Sequence, residues 1–499
     1  MRSAALLLLL AGCTAGPSFS ARLDVVVAEG QDPFAGADHV EVTVRYPDRD
    51  PITRTVPVGG EVEIAGFEPG LGAVVELTAV ASDGTPVGLG RSLPFAFEDG
   101  DSAVAVFVGE ADSLARFPGT LDGSRAWARA VSHPTGRVVI VGGGDNSSEV
   151  VEGVEFLGWD VTDPLGSLPG GTIPRIGHTL FSVPEGMGDW GGKVVVIGGT
   201  TRGFDDTLVS GWDYAVPGVT LIDPVSGEID HDVVDLAGGY MDARAVWTTE
   251  QTIALIGGYR TGDDGTQYTS EVRIIDPTDG SDEAGPDLQQ DDLREQHAAV
   301  RFEAQGNTFI LTSGGIRGTS NIVVMESSTL WNGDPDDEVE TLTGEGALSI
   351  PRARHTLSHL GGGQVLVAGG ARDVDDFDAP GTVTGAIELF NVGTREYELL
   401  PAEDGLIVPR QRHVAVGIPD ERVLLCGGQD AAGNPIGSCE LFRLSTRSFE
   451  PFDGGSMAPG GPGVEAVPLP DGRVLFLGGA SGLGPDDSLY VYTPPRWQD

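Results

Sequence analysis

An arginine and a histidine recur at the spacing Arg-x-x-His, a combination of guanidinium and imidazole that could serve acid–base chemistry. In the stretch RQRHVAVGIPDERVLLCGG (410–428) a cysteine also follows the pair. A catalytic base, however, is needed only once. We therefore interpret the pair as structural, with its imidazole or guanidinium hydrogen-bonded to the backbone of a neighbouring repeat or to an acidic side chain. The pairs are Arg175 with His178, Arg294 with His297, Arg352 with His355, and Arg410 with His413.

Other repeats place different residues at the histidine position. Ala128 follows Arg125, and we expect Arg244 and Val464 to occupy the position in two further repeats. The alternative to a structural role is a ring of imidazoles that faces an axis and holds a metal ion. No carboxylate spacing supports that site, and the chain has no zinc spacing, dinucleotide loop or Ser-His-Asp context. We therefore predict no catalytic, cofactor-binding or metal-ligating residue.

Apolar runs that end in a glycine pair reveal an internal repeat. Examples are RVVIVGG (137–143) and RVLFLGG (473–479), and successive pairs lie 56, 59, 57, 55, 58 and 51 residues apart. A glycine at a strand end permits positive φ and close approach of a neighbouring backbone, whereas a phosphate loop would need a following helix and Gly-Lys-Ser/Thr. The pairs are Gly142 and Gly143, Gly198 and Gly199, Gly257 and Gly258, Gly314 and Gly315, Gly369 and Gly370, Gly427 and Gly428, and Gly478 and Gly479.

Each repeat has the pattern of four short antiparallel strands. A first strand often follows Arg-x-x-His, and a turn such as IPDE (418–421) leads into the apolar run. A third strand, as in AIELFNVGTREYEL (386–399), then turns into a fourth. Helical periodicity is nowhere sustained, so the sequence predicts an all-β fold.

These units resemble kelch repeats, in which a glycine pair closes the second strand and an acidic residue opens the third, as Glu388 and Glu440 do here. The resemblance covers residues 113–499 and implies a seven-bladed kelch-like β-propeller. The segment SLARFPGTL (113–121) looks like a fourth strand, and we expect it to complete the seventh blade and close the ring. Kelch propellers include binding proteins and enzymes, so the resemblance indicates little about function.

The first thirteen residues, MRSAALLLLLAGC, combine one arginine, a short apolar run and a cysteine. They resemble a bacterial lipoprotein signal, which implies that residues 1–12 are removed and that Cys13 is acylated. The apolar run is too short to span a bilayer. Thr14, by the same resemblance, favours the outer membrane, with its periplasmic or external face left open. The alternative is an ordinary signal peptide that contains a cysteine.

Residues 13–20 would form a lipidated linker, and residues 21–111 differ from the repeats. Runs such as HVEVTVRYP (39–47) and AVVELTAVASDG (73–84) alternate apolar and polar residues between turns. This pattern predicts a sandwich of roughly seven strands. It resembles the immunoglobulin-like or transthyretin-like domains of bacterial surfaces. We interpret the domain as a spacer, with a direct role in ligand binding as the alternative.

The other two cysteines lie in one repeat. Cys426 ends the second strand and Cys439 begins the third, so the two could face each other on a hairpin. In an exported protein, two cysteines that remain after lipidation suggest a disulfide. The alternative is two separate thiols, one of them buried.

The chain is strongly acidic, with 75 acidic residues against 30 basic ones and a net charge of −45. This charge disfavours nucleic acid and anionic lipid surfaces as partners. Acidic loops could coordinate calcium, although none has a known calcium-loop pattern and solvated loops are the simpler interpretation. The loops are FDD (204–206), GDDG (262–265), RDVDDFD (372–378) and PDDS (485–488).

Three classes of function follow. The sequence favours a non-catalytic, monomeric cell-envelope lipoprotein whose propeller binds a protein or glycan partner. The second class is a kelch-scaffold enzyme that acts on a sugar. A copper oxidase of this kind would need a tyrosine–cysteine crosslink, for which neither Cys426 nor Cys439 has the context, whereas a mutarotase-like enzyme needs only acids and an arginine in the central funnel. The third class is a structural subunit of an envelope complex.

Overall fold

The protein is all-β, as the sequence predicts. A computed structural model describes residues 8–11, 19–59, 62–65, 70–97, 100–144, 149–158, 164–165, 171–201, 215–236, 238–262, 265–288, 294–318, 322–374, 381–454, 460–482 and 484–497. Within these ranges no α-helix occurs, and short 3-10 turns lie at Gly188–Trp190, Gly344–Gly346 and Ala402–Asp404. No helix long and apolar enough to cross a membrane is found in the same ranges.

The N-terminal strands form one mixed sheet. The strand Ala37–Tyr46, second from one edge, alternates buried and less buried residues, so Val40, Val42 and Val44 point into a single core. Val104 and Val106, from a distant strand of the same sheet, share that core. In sheet order the strands are Arg49–Pro57, Ala37–Tyr46, Gly70–Ala81, Pro86–Arg91, Gly100–Glu110, Phe19–Val27, Leu8–Ala11 and Val62–Ala65, and Phe95–Phe97 pairs with Gly70–Ala81.

The rest of the chain forms four-stranded antiparallel sheets, here numbered sheet 1 to sheet 7. From inner to outer strand, they comprise Arg129–His133, Arg137–Val141, Glu155–Gly158 and Pro164–Leu165 (sheet 1); Ile176–Ser182, Val194–Thr200, Gly218–Ile222 and Ile229–Asp235 (sheet 2); Arg244–Trp247, Ile253–Ile256, Glu271–Ile275 and Asp282–Asp287 (sheet 3); Ala298–Ala304, Asn307–Ser313, Ser328–Trp331 and Glu340–Leu342 (sheet 4); Thr356–Gly361, Gln364–Ala368, Ile387–Asn391 and Glu396–Leu399 (sheet 5); Val414–Ile418, Arg422–Cys426, Cys439–Arg443 and Ser448–Pro451 (sheet 6); and Val464–Pro468, Val474–Gly478, Ser488–Thr493 and Ser113–Thr120 (sheet 7).

Three small sheets lie between these elements. One joins Gly239–Met241, Tyr259–Gly262 and Gly265–Tyr268, and it extends the loops on either side of the sheet 3 hairpin. The other two are short hairpins, Ile316–Arg317 with Val323–Val324 and Ala480–Ser481 with Gly484–Pro485. Each follows a glycine pair, so the loops after the second strands have local structure of their own.

Consecutive sheets pack face to face in a closed cycle. Val139 and Val141 of sheet 1 share a core with Val194 and Val196 of sheet 2, and equivalent cores join each later sheet to the next. A last core returns from sheet 7 to sheet 1. Since each second strand is covered on both faces, its residues are apolar without alternation, which is why these strands appear as continuous runs in the sequence.

The glycine pairs lie at the seams between consecutive sheets. A Cβ atom added to Gly314 would lie 2.2 Å from the carbonyl oxygen of Arg352 in the next sheet, and one added to Gly478 would lie 2.4 Å from that of Arg125. The second glycine donates its backbone N–H to the same kind of acceptor, as Gly315 does to Arg352 (2.9 Å). Both glycines have positive φ, so the pair combines two requirements that only glycine meets well.

Sheet 7 takes its outer strand, Ser113–Thr120, from the segment that precedes sheet 1, as the sequence predicts for this strand. Just before it, Asp112 accepts hydrogen bonds from Arg422 of sheet 6 (2.9 Å) and from the hydroxyl of Tyr492 of sheet 7 (2.7 Å). The segment that leaves the N-terminal sheet is thus attached to both of the last two sheets.

Candidate functional site

The inner strands line a cavity of about 550 Å³ at the centre of the cycle, which we call the axial cavity. Its volume falls in the range of small-ligand sites. Residues from every numbered sheet except sheet 2 contribute to its lining: Trp127, Arg129, Asp242, Arg244, Gln296, His297, Ala298, Ala299, Arg354, His355, Thr356, Leu357, Arg412, His413, Val414, Ala415, Gly463, Val464, Glu465 and Ala466.

One repeat position, directly before the histidine position, has an unusual backbone conformation in every sheet. All its residues have φ between 51° and 78°, although only Gly177 and Gly463 are glycines. A left-handed conformation costs other residues about 1–2 kcal/mol each, and such strain concentrates at functional sites. We call these residues the axial positions: Trp127, Gly177, Asp242, Gln296, Arg354, Arg412 and Gly463.

Backbone hydrogen bonds link the axial positions of successive sheets. The N–H of Arg412 donates to the carbonyl of Arg354 (3.0 Å), and that of Arg354 donates to Gln296 (2.9 Å). Trp127 donates in the same way to Gly463 (2.8 Å) and Asp242 to Gly177 (3.0 Å). These bonds hold the left-handed residues in place and so compensate for part of their strain.

Side chains at the axial positions contact the neighbouring sheets. The guanidinium of Arg354 donates to the amide oxygens of Gln296 (2.5 Å) and Gln411 (3.1 Å). A Cβ atom on Gly463 would lie 2.9 Å from the indole of Trp127. The indole therefore crosses the backbone of Gly463, and glycine at that position makes room for it.

A second tier of charged side chains lies two residues after the axial positions, on the inner strands. Arg129 forms an ion pair with Glu465 (3.0 Å) across the seam between sheets 1 and 7, and Arg244 donates through Nε to the carbonyl of His297 (2.8 Å). Glu465 raises the pKa of Arg129, whereas burial raises the pKa of Glu465 against the effect of Arg129. Burial, and then the charge of Arg129, lower the pKa of Arg244.

The arginines of the Arg-x-x-His pairs lie at the seams and are buried. Arg352 donates to the carbonyls of Gly369 (3.1 Å) and Ala386 (2.9 Å) and to Glu388 (2.5 Å), all within its own sheet. Arg410 makes the equivalent bonds to Gly427, Ser438 and Glu440, and Arg125 to Gly142, Gly153 and Glu155. Arg294 bonds to Gly314 and Ser327, and Arg175 is buried at the corresponding place.

The histidines of the same pairs pack against the preceding sheet. His355 bonds through Nε2 to the hydroxyl of Ser313 (2.9 Å), and His413 bonds to that of Thr356 (2.9 Å). His355 Cε1 would lie 2.8 Å from a Cβ atom added to Gly314, so the imidazole occupies the space that glycine leaves. His178 and His297 pack against Gly142 and Gly257 in the same way.

The histidines are neutral at neutral pH, since burial and then neighbouring arginines lower their pKa values. The pKa of His178 and of His413 falls to about 3, and those of His297 and His355 lie well below the usual range. Each histidine belongs to a different sheet, and the described ranges contain no group of three His, Cys, Asp or Glu residues placed to hold a metal ion. Of the acidic loops, residues 204–206, 263–264 and 375–378 lie outside these ranges.

The expected assignment of Arg244 to the histidine position is wrong. In sheet 3, Arg244 pairs with Ile256, the residue directly before the glycine pair. In sheet 4, the residue with the equivalent pairing is Ala298, which comes one residue after His297. Ala243 therefore occupies the histidine position, and Arg244 is equivalent to Arg129 and Glu465. Sheet 3 lacks both the arginine and the histidine of the motif, so its sequence contained no marker for the register.

Cys426 and Cys439 face each other on adjacent strands of sheet 6 and form a disulfide, with their Cα atoms 4.2 Å apart. The bond lies at a seam, away from the axial positions. Cys13 lies outside the described residues.

Sequence reasoning missed the axial positions. The signal was present in REQH (294–297), RARH (352–355) and RQRH (410–413), where the two residues between the recurring arginine and histidine vary. A position that keeps its place in each repeat but changes its chemistry is a candidate for ligand contact.

No protein-family model matches the chain. A segment of 152 residues is 31% identical to tRNA wybutosine-synthesizing protein 4 of Candida albicans, and it covers 28% of this chain and 19% of that protein. The match therefore spans less than a fifth of the relative's length.

Proposed function

We propose that this chain is a non-catalytic cell-envelope lipoprotein whose repeats form a seven-bladed kelch-like β-propeller that binds a glycan in the axial cavity. The observation that supports this function is the axial cavity itself. It is about 550 Å³ in volume and is lined by charged, amide and aromatic side chains on rigid inner strands. The strained axial positions are a further argument, because their left-handed backbone lowers the stability of the fold at residues that face the cavity.

A cavity-filling variant tests this site. Ala299 lies on the inner strand of sheet 4 and lines the axial cavity, so Ala299→Phe should reduce binding of a glycan-array hit at least tenfold. Ala432→Phe, in an exposed loop of sheet 6, is the matched control. Both variants should melt within a few degrees of wild type. Equal binding by wild type and Ala299→Phe would reject the axial cavity as the site.

We further propose that Cys13 carries a lipid that anchors the chain to the outer membrane and that the N-terminal sheet is an immunoglobulin-like or transthyretin-like spacer. The support is the MRSAALLLLLAGC segment. Metabolic labelling with a fatty acid should mark the wild-type protein and not Cys13→Ser. Labelling that persists in Cys13→Ser would contradict the anchor.

The tRNA-related name of the fungal protein is not part of this proposal. The matched segment is between two and three repeat lengths, as expected if the similarity reflects the repeat fold. A net charge of −45 also disfavours an RNA partner.

A second candidate function is that of an enzyme acting on a sugar, and one observation favours it. Glu465 lies in the axial cavity and burial raises its pKa, which is a property of general acids. If the protein turns over its ligand, Glu465→Gln should abolish turnover while the ligand still binds. If no anomer exchange or cleavage of a bound sugar is detected by NMR in wild type, the non-catalytic function stands.

A further inference from the structure

Two glycines distinguish one side of the axial cavity, the side formed by sheets 7, 1, 2 and 3. At the axial positions of sheets 7 and 2, Gly463 and Gly177 have no side chain, and each gives its space to the axial residue of the next sheet. Trp127 lies over Gly463, and a Cβ atom on Gly177 would lie 3.3 Å from Oδ1 of Asp242. The side chain of Asp242 therefore covers the inner end of sheet 2 and lines the cavity there.

On this side of the cavity, polar groups are left without a partner in the fold. Arg244 donates through Nε to the carbonyl of His297 (2.8 Å). Within the described part of the chain, no group accepts a hydrogen bond from its two terminal nitrogens, and none donates to the carboxylate of Asp242. Both side chains line the cavity and are half-buried, so these groups are open to a ligand. A carboxylate only accepts hydrogen bonds and a guanidinium only donates them.

The charges around these two groups favour an uncharged ligand group. The ion pair of Arg129 with Glu465 lies nearby, and the charges of Arg129, Asp242 and Glu465 all act on Arg244. An anion bound to Arg244 would be repelled by the carboxylates of Asp242 and Glu465. A cation bound to Asp242 would be repelled by the guanidinium groups of Arg129 and Arg244. A hydroxyl avoids both repulsions, since it has no net charge and can either donate or accept.

Two adjacent hydroxyls of a sugar ring match this acceptor and this donor. One hydroxyl can donate to the carboxylate of Asp242 while its neighbour accepts from the guanidinium of Arg244, and hydrogen bonds to charged groups are the stronger kind. The indole of Trp127 lines the same side of the cavity and presents an apolar surface that suits the C–H groups of a sugar.

We therefore infer that the axial cavity recognises a sugar through two adjacent hydroxyls, one donating to the carboxylate of Asp242 and the other accepting from the guanidinium of Arg244. This inference rests on the proposed function and adds to it the part of the sugar that is recognised and the two residues that determine specificity.

Calorimetric titration of the full chain tests the inference. The probes are the methyl α-glycosides of D-glucose, D-galactose and D-mannose, and then the deoxy analogues of the tightest binder, each lacking one ring hydroxyl. Removal of either of two adjacent hydroxyls should weaken binding about 10- to 100-fold, the effect of losing one hydrogen bond to a charged group. Loss of a hydroxyl elsewhere should have a smaller effect. Glycine, a zwitterion, tests whether a positive and a negative group suffice.

Variants locate the contacts. Asp242→Asn keeps the size of the side chain and a residue that tolerates the left-handed conformation (φ 54°), and Arg244→Met removes the guanidinium. Each should weaken binding of the tightest glycoside about 10- to 100-fold. Asp232→Asn is the control for the first variant, since Asp232 also has positive φ (51°) but is exposed on sheet 2, and Arg447→Met is the control for the second. Both controls should bind as wild type does.

Combining variants with analogues shows which hydroxyl meets which residue. Asp242→Asn should bind the tightest glycoside and the analogue that lacks the donating hydroxyl with equal affinity, because the contact is already lost. Arg244→Met should do the same with the analogue that lacks the other hydroxyl. Losses that simply add in both variants would contradict direct contact. Asp242 makes no hydrogen bond through its side chain within the described part of the chain, so Asp242→Asn decides this even if Arg244→Met is destabilised.

The outcomes separate the inference from the proposed function. Glycoside binding that is lost in Ala299→Phe but unchanged in Asp242→Asn and Arg244→Met would overturn the inference and leave the axial glycan site intact. Binding unchanged in all three variants would overturn both. Glycine binding as tightly as the glycosides would overturn the hydroxyl pair. Absence of binding by all three glycosides at millimolar concentration, in a chain with wild-type melting, would overturn the inference, whereas the glycan-array comparison with Ala299→Phe tests the proposed function independently.

Discussion

Two arginines separated by one residue show the difference between the seams and the axial cavity. Arg352 and Arg354 both belong to RARH (352–355), yet Arg352 is fully buried and bonded to Glu388, whereas Arg354 lines the cavity and is held by glutamines. The first residue recurs in most repeats because every seam needs the same contacts. The second position varies, since it is Trp, Gly, Asp, Gln or Arg in different sheets. Repetition within the chain therefore marks structure, whereas the varying axial positions are the part of the repeat that the proposed function assigns to the ligand.

The seam arginines should be the most costly residues to lose. In Arg352→Met the carboxylate of Glu388, itself fully buried, would be left without its guanidinium partner. Breaking a buried ion pair from one side costs about 3–5 kcal/mol. We expect a loss of that size in the free energy of unfolding, measured by urea denaturation. Arg447→Met, which removes an exposed ion pair with Glu398, should cost less than about 1 kcal/mol. A loss below 1 kcal/mol in Arg352→Met would contradict the assignment of Arg352 to a structural seam.

The seam glycines should be the next most sensitive residues. Gly314→Ala places a methyl group 2.2 Å from the carbonyl oxygen of Arg352 and 2.8 Å from the imidazole of His355. Strain and overpacking together should destabilise the protein by about 2–3 kcal/mol. Gly306→Ala is the control that measures the cost of the backbone strain alone. Gly306 also has positive φ (79°), but no atom lies within 4 Å of the added methyl group. Equal losses in the two variants would mean that the seam contact contributes nothing.

The buried histidines should make the seams sensitive to acid. His413 has a pKa of about 3 in the folded protein, below the usual value near 6.5, because of burial and the charge of Arg410. Between these values the unfolded chain binds a proton that the folded protein does not. Stability therefore falls as pH decreases from about 6.5 toward 3, by at most about 1.4 kcal/mol per pH unit for each such histidine.

His413→Gln removes this titration and keeps a side chain able to bond to Thr356. Urea denaturation at pH 7.5 and pH 5.0 should show a pH-dependent loss of stability about 1–2 kcal/mol smaller in the variant than in wild type. An identical pH dependence in the two proteins would show that His413 is not buried in its neutral form.

The comparison between seam and axis also shows what the sequence could predict. The apolar runs with their glycine pairs are determined by local contacts that recur in each seam, so the second strands were predictable from spacing. The outer strand Ser113–Thr120 was predictable from its likeness to other fourth strands. The axial positions were not, because the left-handed conformation follows from hydrogen bonds between successive sheets rather than from residue type. The register of Arg244 was predicted incorrectly for a different reason, because its repeat has neither the Arg nor the His of the motif to mark the histidine position.

The N-terminal sheet was predictable only in outline. Alternation identified its strands, for example Ala37–Tyr46, but not the parallel pairing of Phe19–Val27 with Gly100–Glu110. That pairing joins residues about 80 positions apart along the chain, and no local pattern encodes such a partner.

Arg354→Asn gives the smallest expected effect on stability and the most direct contrast with Arg352→Met. The substitution removes the bonds to Gln296 and Gln411, but asparagine adopts the left-handed conformation more readily than arginine does. We expect the free energy of unfolding to change by less than about 1 kcal/mol. A loss as large as that of Arg352→Met would place Arg354 among the seam residues. A small loss of stability in Arg354→Asn, beside a large loss in Arg352→Met, would mean that the fold does not depend on the guanidinium of Arg354. The backbone strain at Arg354 would then have to be explained by what this side chain binds.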